Sequence, residues 1–223
     1  MFQGYSNETF EFFMAIRFNN NRPFFQDNKD WYQRAVREPS IALAQELADL
    51  AEEIDPNLER RPHRVVSRIN RDIRFARDKS PYRDCVWLSF HHTDENKGKL
   101  PGLYFEVNDT RAVCGMGFYR NNRKLMDALR TRILARPSEV ANLYLPLEDE
   151  YLLYPTLNSR LSIPNEVPAE LRALYACGCF YLEKSIPDFD LIRSPELADE
   201  LKKCFKRLAP FYRFIIDLHN PED

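Results

Sequence analysis

The sequence predicts an α+β fold in which N-terminal helices are followed by a small, mainly antiparallel sheet and then by C-terminal helices. Three observations lead to this class. Apolar residues recur at helical spacing in the first third of the chain, alternate with polar residues in the middle, and return to helical spacing afterwards. The 223 residues are predicted to form a single domain, with a helical region at 1–58, a strand-rich region at 63–120 and a mainly helical region at 121–220.

Three helices are predicted in the N-terminal region. The first is capped by Ser6 or Asn7 and carries phenylalanines at helical spacing. Pro23 suits the first turn of the second helix, because a backbone N–H at that position would have no partner within the helix. The third helix begins after Pro39 and ends before the Asp-Pro-Asn sequence at residues 55–57.

Three or four strands are predicted in the middle region. Residues 85–92 alternate between apolar and more polar side chains, which is the period of a strand with one buried face. Residues 103–107 and 111–118 flank an Asn-Asp-Thr sequence at 108–110, and this arrangement predicts a hairpin. The short β-branched run at 65–69 is the fourth candidate.

Helices are predicted to return in the second half of the chain. Residues 146–168 contain four prolines and few other signals, so they are predicted to form a long irregular connection. The other predicted elements are helices around 125–133 and 137–144, a short helix at 170–176, a strand at 179–185, and a last helix from 194 to 215 that bends near Pro210.

The composition excludes several classes of protein. The longest apolar run, at 173–182, has ten residues, whereas a membrane-spanning helix needs about twenty. The N-terminus has no basic stretch of the kind that begins a secretory signal. The five cysteines form an odd and unpatterned set, which is typical of reduced thiols in a cytosol. We therefore expect a cytoplasmic protein without a membrane segment.

Signatures of cofactor-dependent and metal-dependent enzymes are missing from the sequence. The glycine pair within residues 115–117 is followed by Arg120 where a dinucleotide-binding loop would have a further glycine, and no phosphate-binding loop is present. Histidines His63, His91 and His92 were considered as metal ligands, but alternation along a strand would place the two adjacent ones on opposite faces. The sequence therefore predicts no cofactor and no metal site.

Charge is distributed unevenly along the chain. Residues 60–83 hold nine basic and two acidic side chains, a local net charge of +7, whereas the whole chain has a formal charge of −2. Residues 148–200 hold eleven acidic and four basic side chains, a net charge of −7. Eight of the nine basic residues are arginines, whose planar guanidinium pairs with carboxylate or phosphate through two hydrogen bonds. The basic segment can therefore bind an anion, pair with the acidic segment, or face solvent.

A candidate anion site lies within this basic segment. The candidate anion-binding residues are Arg68, Arg71, Arg74 and Lys79, and the carboxylates of Asp72 and Asp78 are expected to orient them. Tyr82, Asn20 and Lys29 are additional candidates. The same residues can instead close an ion-pair network that only holds a long loop in place. The sequence leaves both arrangements open.

The basic segment also carries a resemblance to a known family. Residues 71–83 read R-D-I-R-F-A-R-D-K-S-P-Y-R and resemble the signature R-D-T-R-F-S-K-D-K-S-P-Y-K of a bacterial domain-of-unknown-function family, number 2461. Ala76 stands where that signature has serine, and Met116 where the family usually has glycine. The resemblance extends over residues 2–130 and is not visible at 146–168. The similar positions outside the signature are Phe2, Gly4, Tyr5, Asn19, Asn20, Phe25, Asn28, Lys29, Tyr32, Pro39, Gly102 to Val107, Gly115, Gly117, Leu125 and Arg130. It implies one cytosolic α+β domain and implies no particular activity.

Three functions remain as hypotheses. The first is a site for a small molecule that bears a phosphate or carboxylate, with catalysis left open. The second is a structural or protein-interaction domain in which the signature is an ion-pair network, and it predicts that Arg74→Ala strongly destabilises the fold. The third is nucleic-acid contact, which is not expected because the isoelectric point is about 6.1 and no nucleic-acid-binding motif is present. The oligomeric state cannot be read from the sequence.

Overall fold

The fold consists of helices at both ends of the chain and a sheet built from its middle and second half. The computed structural model describes residues 1–74, 78–93, 97–158 and 161–219. The helices in this part of the chain are α1 (Asn7–Phe18), α2 (Arg22–Asp27), α3 (Lys29–Tyr32), α4 (Glu38–Ile54), α5 (Pro62–Val65), α6 (Arg123–Ala135), α7 (Pro137–Glu148), α8 (Arg172–Ala176), α9 (Phe189–Ile192) and α10 (Leu197–His219). The strands are β1 (Val86–Phe90), β2 (Gly102–Val107), β3 (Ala112–Gly117), β4 (Leu152–Leu157) and β5 (Cys177–Ser185).

All pairs of neighbouring strands in the sheet are antiparallel. The strand order is β1-β2-β3-β5-β4. Asn108 forms the predicted turn between β2 and β3, since its side-chain oxygen accepts hydrogen bonds from the backbone N–H groups of Thr110 (2.9 Å) and Arg111 (2.8 Å). The predicted α+β class, with helices on either side of an antiparallel sheet in the chain, is confirmed.

Two strand predictions were wrong. Leu152–Leu157, within the stretch predicted to be irregular, forms the edge strand β4. Most of its side chains are exposed and it contains Pro155, so it lacks both the buried alternation and the composition that indicate a strand. An edge strand tolerates proline because one of its two sides forms no hydrogen bonds to a neighbouring strand. In the β-branched run at 65–69, only Val66 pairs with the sheet, as an isolated bridge to Leu88.

The sheet has one face covered by helices and one open face. Helix α4 packs against β1, α10 against β3 and α6 against β5. The covered face carries fully buried side chains such as Leu88, Phe105 and Cys114, which lie side by side across β1, β2 and β3. Because successive side chains in a strand point to opposite faces, Trp87 and its cross-strand partner Glu106 lie on the open face, where both are half-buried.

A buried polar cluster connects three elements beneath the sheet. Tyr212 of α10 donates a hydrogen bond to Asp55, which follows α4, over 2.8 Å. His92, just after β1, places Nε2 3.1 Å from both the Tyr212 hydroxyl and the Asp55 carboxylate. Burial would raise the pKa of Asp55, but hydrogen bonds from His92, the Asn57 backbone and Tyr212 together hold it well below its usual value.

The Asp55 cluster predicts an acid-dependent loss of stability. A carboxylate whose pKa is depressed in the folded state stabilises the fold above its unfolded pKa, and that contribution is lost as pH falls. At pH 7 we expect Asp55→Asn to lower the free energy of unfolding by about 1–3 kcal/mol, because buried hydrogen-bond partners lose an ionised acceptor. The difference in the free energy of unfolding between Asp55→Asn and wild type should become smaller as pH falls below about 4. Urea unfolding from pH 7 to pH 2 measures this, with the exposed Asp49→Asn as control; a difference that is independent of pH would contradict it.

Candidate functional site

The signature segment forms a hairpin. The backbone N–H of Arg71 donates to the carbonyl of Pro81 over 2.9 Å, and the N–H of Arg83 donates to the carbonyl of Ile69 over 2.8 Å. Asn70 and Tyr82 lie opposite each other between these bonds. We call residues 69–74 and 78–83 the signature hairpin; residues 75–77 lie outside the described part of the chain.

The signature hairpin is joined to the β1 edge of the sheet. The N–H of Ser67 donates to the carbonyl of Trp87 over 2.8 Å, and the Ser67 hydroxyl accepts from the Trp87 N–H over 3.1 Å. Together with the isolated Val66–Leu88 bridge, these bonds attach the segment that precedes the hairpin to β1. The hairpin therefore projects from the β1 edge of the sheet.

A second attachment comes from the end of α1. The Asn20 side chain accepts from the N–H of Tyr82 and donates to its carbonyl, both over 3.0 Å. The Tyr82 ring is 6% exposed and lies 4.4 Å from the ring of Phe25, measured between centroids. Asn20 and Tyr82, both candidate site residues, are therefore engaged in fixing the hairpin to the N-terminal helices.

The described residues of the hairpin tip are paired within the tip itself. Arg74 binds Asp72 with two hydrogen bonds, of 2.9 and 2.7 Å, and the two side chains are 76% and 53% exposed. Asp78 accepts from the N–H of Ser80 over 2.9 Å, and Lys79 donates from Nζ to the carbonyl of Ile73 over 2.9 Å. These contacts close the loop, and Arg74 does not lie in a buried ion pair.

Arg71 belongs to a line of alternating charges at the base of the hairpin. One terminal nitrogen lies 2.5 Å from Asp78 and the other 3.9 Å from Asp84. Asp84 also accepts a hydrogen bond of 2.7 Å from Arg17 of α1, and Arg17 in turn donates hydrogen bonds to Asp109 in the β2–β3 turn. The Nε of Arg71 is buried and has no acceptor among the described residues.

Arg83 is half-buried and differs from the other arginines of the hairpin. Its guanidinium carbon lies 4.2 Å from the centre of the Trp87 ring, and it donates a hydrogen bond of 3.3 Å to the Arg68 carbonyl. It forms no ion pair with a described carboxylate. Burial lowers the pKa of Arg83, and the charge of Arg71 lowers it further. Alternation along the hairpin places Arg71 and Arg83 on one side, opposite Tyr82.

The remaining candidates are distributed around this base. Arg68 is exposed, forms no ion pair with a described residue, and adjoins Arg83 through its carbonyl. Lys29 is exposed on α3 and makes no hydrogen bond or ion pair with the described part of the hairpin. The structure thus brings Arg68, Arg71 and Arg83 to the base of the hairpin and leaves Arg74 and Lys79 near its tip. Arg83 and Arg17 were not among the candidates from the sequence.

The acidic partners of the basic segment are close in sequence. Across the described residues, the cations between residues 60 and 83 pair with Glu52, Glu59, Asp72, Asp78 and Asp84. None of their ion pairs involves the acidic segment 148–200. The expectation that the two oppositely charged segments face each other finds no support in these pairs, because the paired cations bind carboxylates close to them in sequence.

The histidines form no metal-binding group in the described residues, and Cys85 is not an activated thiol. His92 belongs to the buried Asp55 cluster, His63 is exposed, and no group of three potential metal ligands occurs in this part of the chain. Burial raises the pKa of the Cys85 thiol to about 12, so it is protonated at neutral pH and a poor nucleophile. All five cysteines lie in described residues and are free thiols.

The Asn20–Tyr82 contact predicts a large effect of a small substitution. We expect Asn20→Ala to lower the free energy of unfolding by about 1–3 kcal/mol, because it leaves two backbone groups of Tyr82 without partners in a part-buried site. Asn19→Ala is the matched control, since Asn19 is exposed and makes one long local hydrogen bond. Chemical denaturation measures both variants, and equal stabilities would contradict the assignment.

The exposed Arg74–Asp72 pair predicts almost no effect on stability. We expect Arg74→Ala to unfold at the same denaturant concentration as wild type within experimental error, because exposed ion pairs contribute little. This is the opposite of what a fold-holding network at Arg74 requires. A strongly destabilised Arg74→Ala in the same denaturation experiment would restore the network hypothesis.

Comparisons with known proteins place the chain in a family. A search of curated proteins finds no match. Within the described residues, no helix is long and apolar enough to cross a membrane. The profile of the conserved hypothetical protein family DUF2461 matches residues 8–214, and so extends through the second half of the chain, where the resemblance in the sequence is not visible. The chain therefore belongs to the DUF2461 family of conserved hypothetical proteins.

Proposed function

We propose that the base of the signature hairpin binds a small molecule through its phosphate or carboxylate group. The observation that carries the proposal is Arg83, a half-buried guanidinium stacked on Trp87 without a carboxylate partner among the described residues. A buried charge is costly unless it is paired. An anion at this position would supply the missing partner.

Arg71 supports the same position. It lies on the Arg83 side of the hairpin, and its Nε is a buried donor without an acceptor in the described residues. Asp78 holds one terminal nitrogen of Arg71 at 2.5 Å and so fixes the orientation of the guanidinium. In this proposal Asp78 is a positioning residue, and Arg71 and Arg83 together present N–H donors to the ligand.

The other candidate residues predicted from the sequence contribute less to the proposed site. Arg68 adds an exposed positive charge next to Arg83. Lys79 keeps two further N–H donors beyond its bond to Ile73, so it can contact a ligand that extends toward the tip. Arg74 and Asp72 satisfy each other and have no assigned role in binding. The proposal is of a binding site, and it assigns no nucleophile and no general base.

Charge on the open face argues against nucleic acid as the ligand. Glu106 and Glu183 both lie on this face, two strands apart, and Glu106 is the cross-strand partner of Trp87. A phosphate backbone that continued from Arg83 across the sheet would meet these carboxylates. A small anion at Arg83 does not extend that far, so the charge pattern favours a small ligand.

The proposal predicts stabilisation by small anions that depends on Arg83. In a thermal-shift experiment with phosphate, pyrophosphate, citrate and adenosine monophosphate, we expect at least one anion to raise the melting temperature. The rise is about 5–11 °C at roughly one hundred times the dissociation constant. Arg83→Gln and Arg71→Gln should abolish it, and Arg123→Gln, which removes an arginine that is 90% exposed, should retain it.

Two controls keep this experiment decisive. Sodium chloride at matched ionic strength separates specific binding from screening. If Arg83→Gln does not fold, Arg83→Lys keeps the charge and should bind the same anion more weakly, because lysine cannot form the bidentate pair. No shift with any anion, or an equal shift in the Arg83 and Arg123 variants, would overturn the proposal.

A further inference from the structure

A second set of polar and aromatic side chains lies further across the open face of the sheet. Tyr104 of β2 and Glu183 of β5 are the two cross-strand partners of Gly115 in β3, and Gly117 lies opposite Tyr181. A Cβ atom on Gly115 would lie 3.1 Å from the Tyr104 ring, and one on Gly117 only 2.4 Å from the Tyr181 ring. The two glycines therefore let both tyrosine rings lean over β3, where their centroids are 5.5 Å apart.

Glu183 is fully engaged within this set. Its carboxylate accepts a hydrogen bond of 3.0 Å from the Tyr104 hydroxyl and forms an ion pair with Arg111. Its side chain is 14% exposed. The buried hydroxyl and carboxylate satisfy each other, and Arg111 balances the charge of Glu183.

Glu106 lies on the same face and has no such partner. It is two residues from Tyr104 in β2, and its own cross-strand neighbours are Trp87 and Val113. The carboxylate is half-buried, yet it accepts no hydrogen bond and forms no ion pair with any described residue. Burial raises the pKa of Glu106, and the charge of Arg111, already paired with Glu183, lowers it in part. A carboxylate in this position lacks a cation.

The open face of the sheet is closely packed next to Glu106. Val113 is only 3% exposed, although it is absent from the hydrophobic core on the helix-covered side. It is therefore covered by side chains of the open face itself, and its cross-strand neighbours are Glu106 and Ser185.

The aromatic neighbours favour a positively charged group over a neutral donor. The face of Trp87, next to Glu106, already holds the guanidinium of Arg83 at 4.2 Å, so this sheet face accommodates a cation on an aromatic ring. Tyr104 and Tyr181 present further rings on the same face. Aromatic rings with one unpaired carboxylate are the chemistry that recognises alkylammonium and guanidinium groups.

We propose that Glu106 anchors the ammonium or guanidinium group of a small organic ligand on the open face of the sheet. The inference goes beyond the anion site, since its anchor is a carboxylate of β2 and not an arginine of the hairpin. The two sites share Trp87, but each is tested by its own variant, Arg83→Gln for the anion site and Glu106→Gln for the cation site.

The test is an isothermal titration with agmatine, butylamine and choline, and with butanol as the uncharged control. We expect at least one cation to bind saturably while butanol does not. Glu106→Gln keeps the size of the side chain and removes its charge, and it should weaken binding at least tenfold. Glu11→Gln removes an exposed charge on α1 and should leave the affinity unchanged.

Two further measurements test whether the Glu106 variant is folded and whether the cation belongs to a small molecule or to a basic peptide. Glu106→Gln should be at least as stable as wild type in chemical denaturation, because it removes a half-buried charge without a partner. If this variant is unstable, Glu106→Asp replaces it. The shorter side chain of Glu106→Asp retracts the carboxylate, so this variant should also weaken binding. A lysine- and arginine-rich peptide is titrated in parallel. No binding of any amine, equal binding by wild type and the Glu106 variant, or binding of the peptide alone would overturn the proposal.

Discussion

The alternation of side chains across the antiparallel sheet is the constraint on which the candidate sites depend. One face of the sheet packs against α4, α6 and α10 and forms the core. The other face consequently receives the polar and aromatic residues of the same strands, including Trp87, Tyr104 and Glu106. The signature hairpin joins the β1 edge, so that Arg83 reaches Trp87 from the side. Both proposed ligand groups would therefore bind to the open face or to its rim.

The hairpin combines a self-contained tip with a base that depends on distant residues. At the tip, Asp72 and Arg74 are two residues apart and neutralise each other in solvent. At the base, Asn20 holds Tyr82 across 62 residues of sequence, and Arg17 of α1 holds Asp84. The position of Arg71 and Arg83 therefore depends on the N-terminal helices. Asp78 and Asp84 adjoin Arg71, whereas the half-buried Arg83 forms no ion pair with a described carboxylate.

Residues that act through local patterns could be predicted from the sequence. The helix after Pro39, the hairpin turn at Asn108 and the alternation in β1 all have short-range signals, and the structure confirms them. The edge strand β4 could not be predicted, because its exposed side chains and Pro155 carry no pattern. The resemblance predicted the family, and the profile match over residues 8–214 confirms the family over nearly the whole chain.

The sequence placed the candidate residues in one segment but could not show which of them lie together in the fold. Residue types and spacing indicated a cluster of arginines with orienting carboxylates, and Asp78 does hold Arg71. Sequence alone could not tell that Arg74 is exposed or that Arg83 stacks on Trp87, because burial and ring contacts depend on the tertiary fold. The position of Glu106 does have a signal in the sequence. A charged residue that alternates with buried apolar residues in a strand indicates the face of the sheet that is turned away from the core.

The most direct test of the central claim, an anion site at the base of the hairpin, is NMR of the arginine side chains. The Nε–H resonances of ¹⁵N-labelled wild-type protein are followed during a titration with pyrophosphate at constant ionic strength. The account predicts that the resonances of Arg71 and Arg83 shift together and reach saturation, while those of Arg74 and Arg123 barely move. Shifts of equal size at all exposed arginines, or an unchanged Arg83, would contradict it.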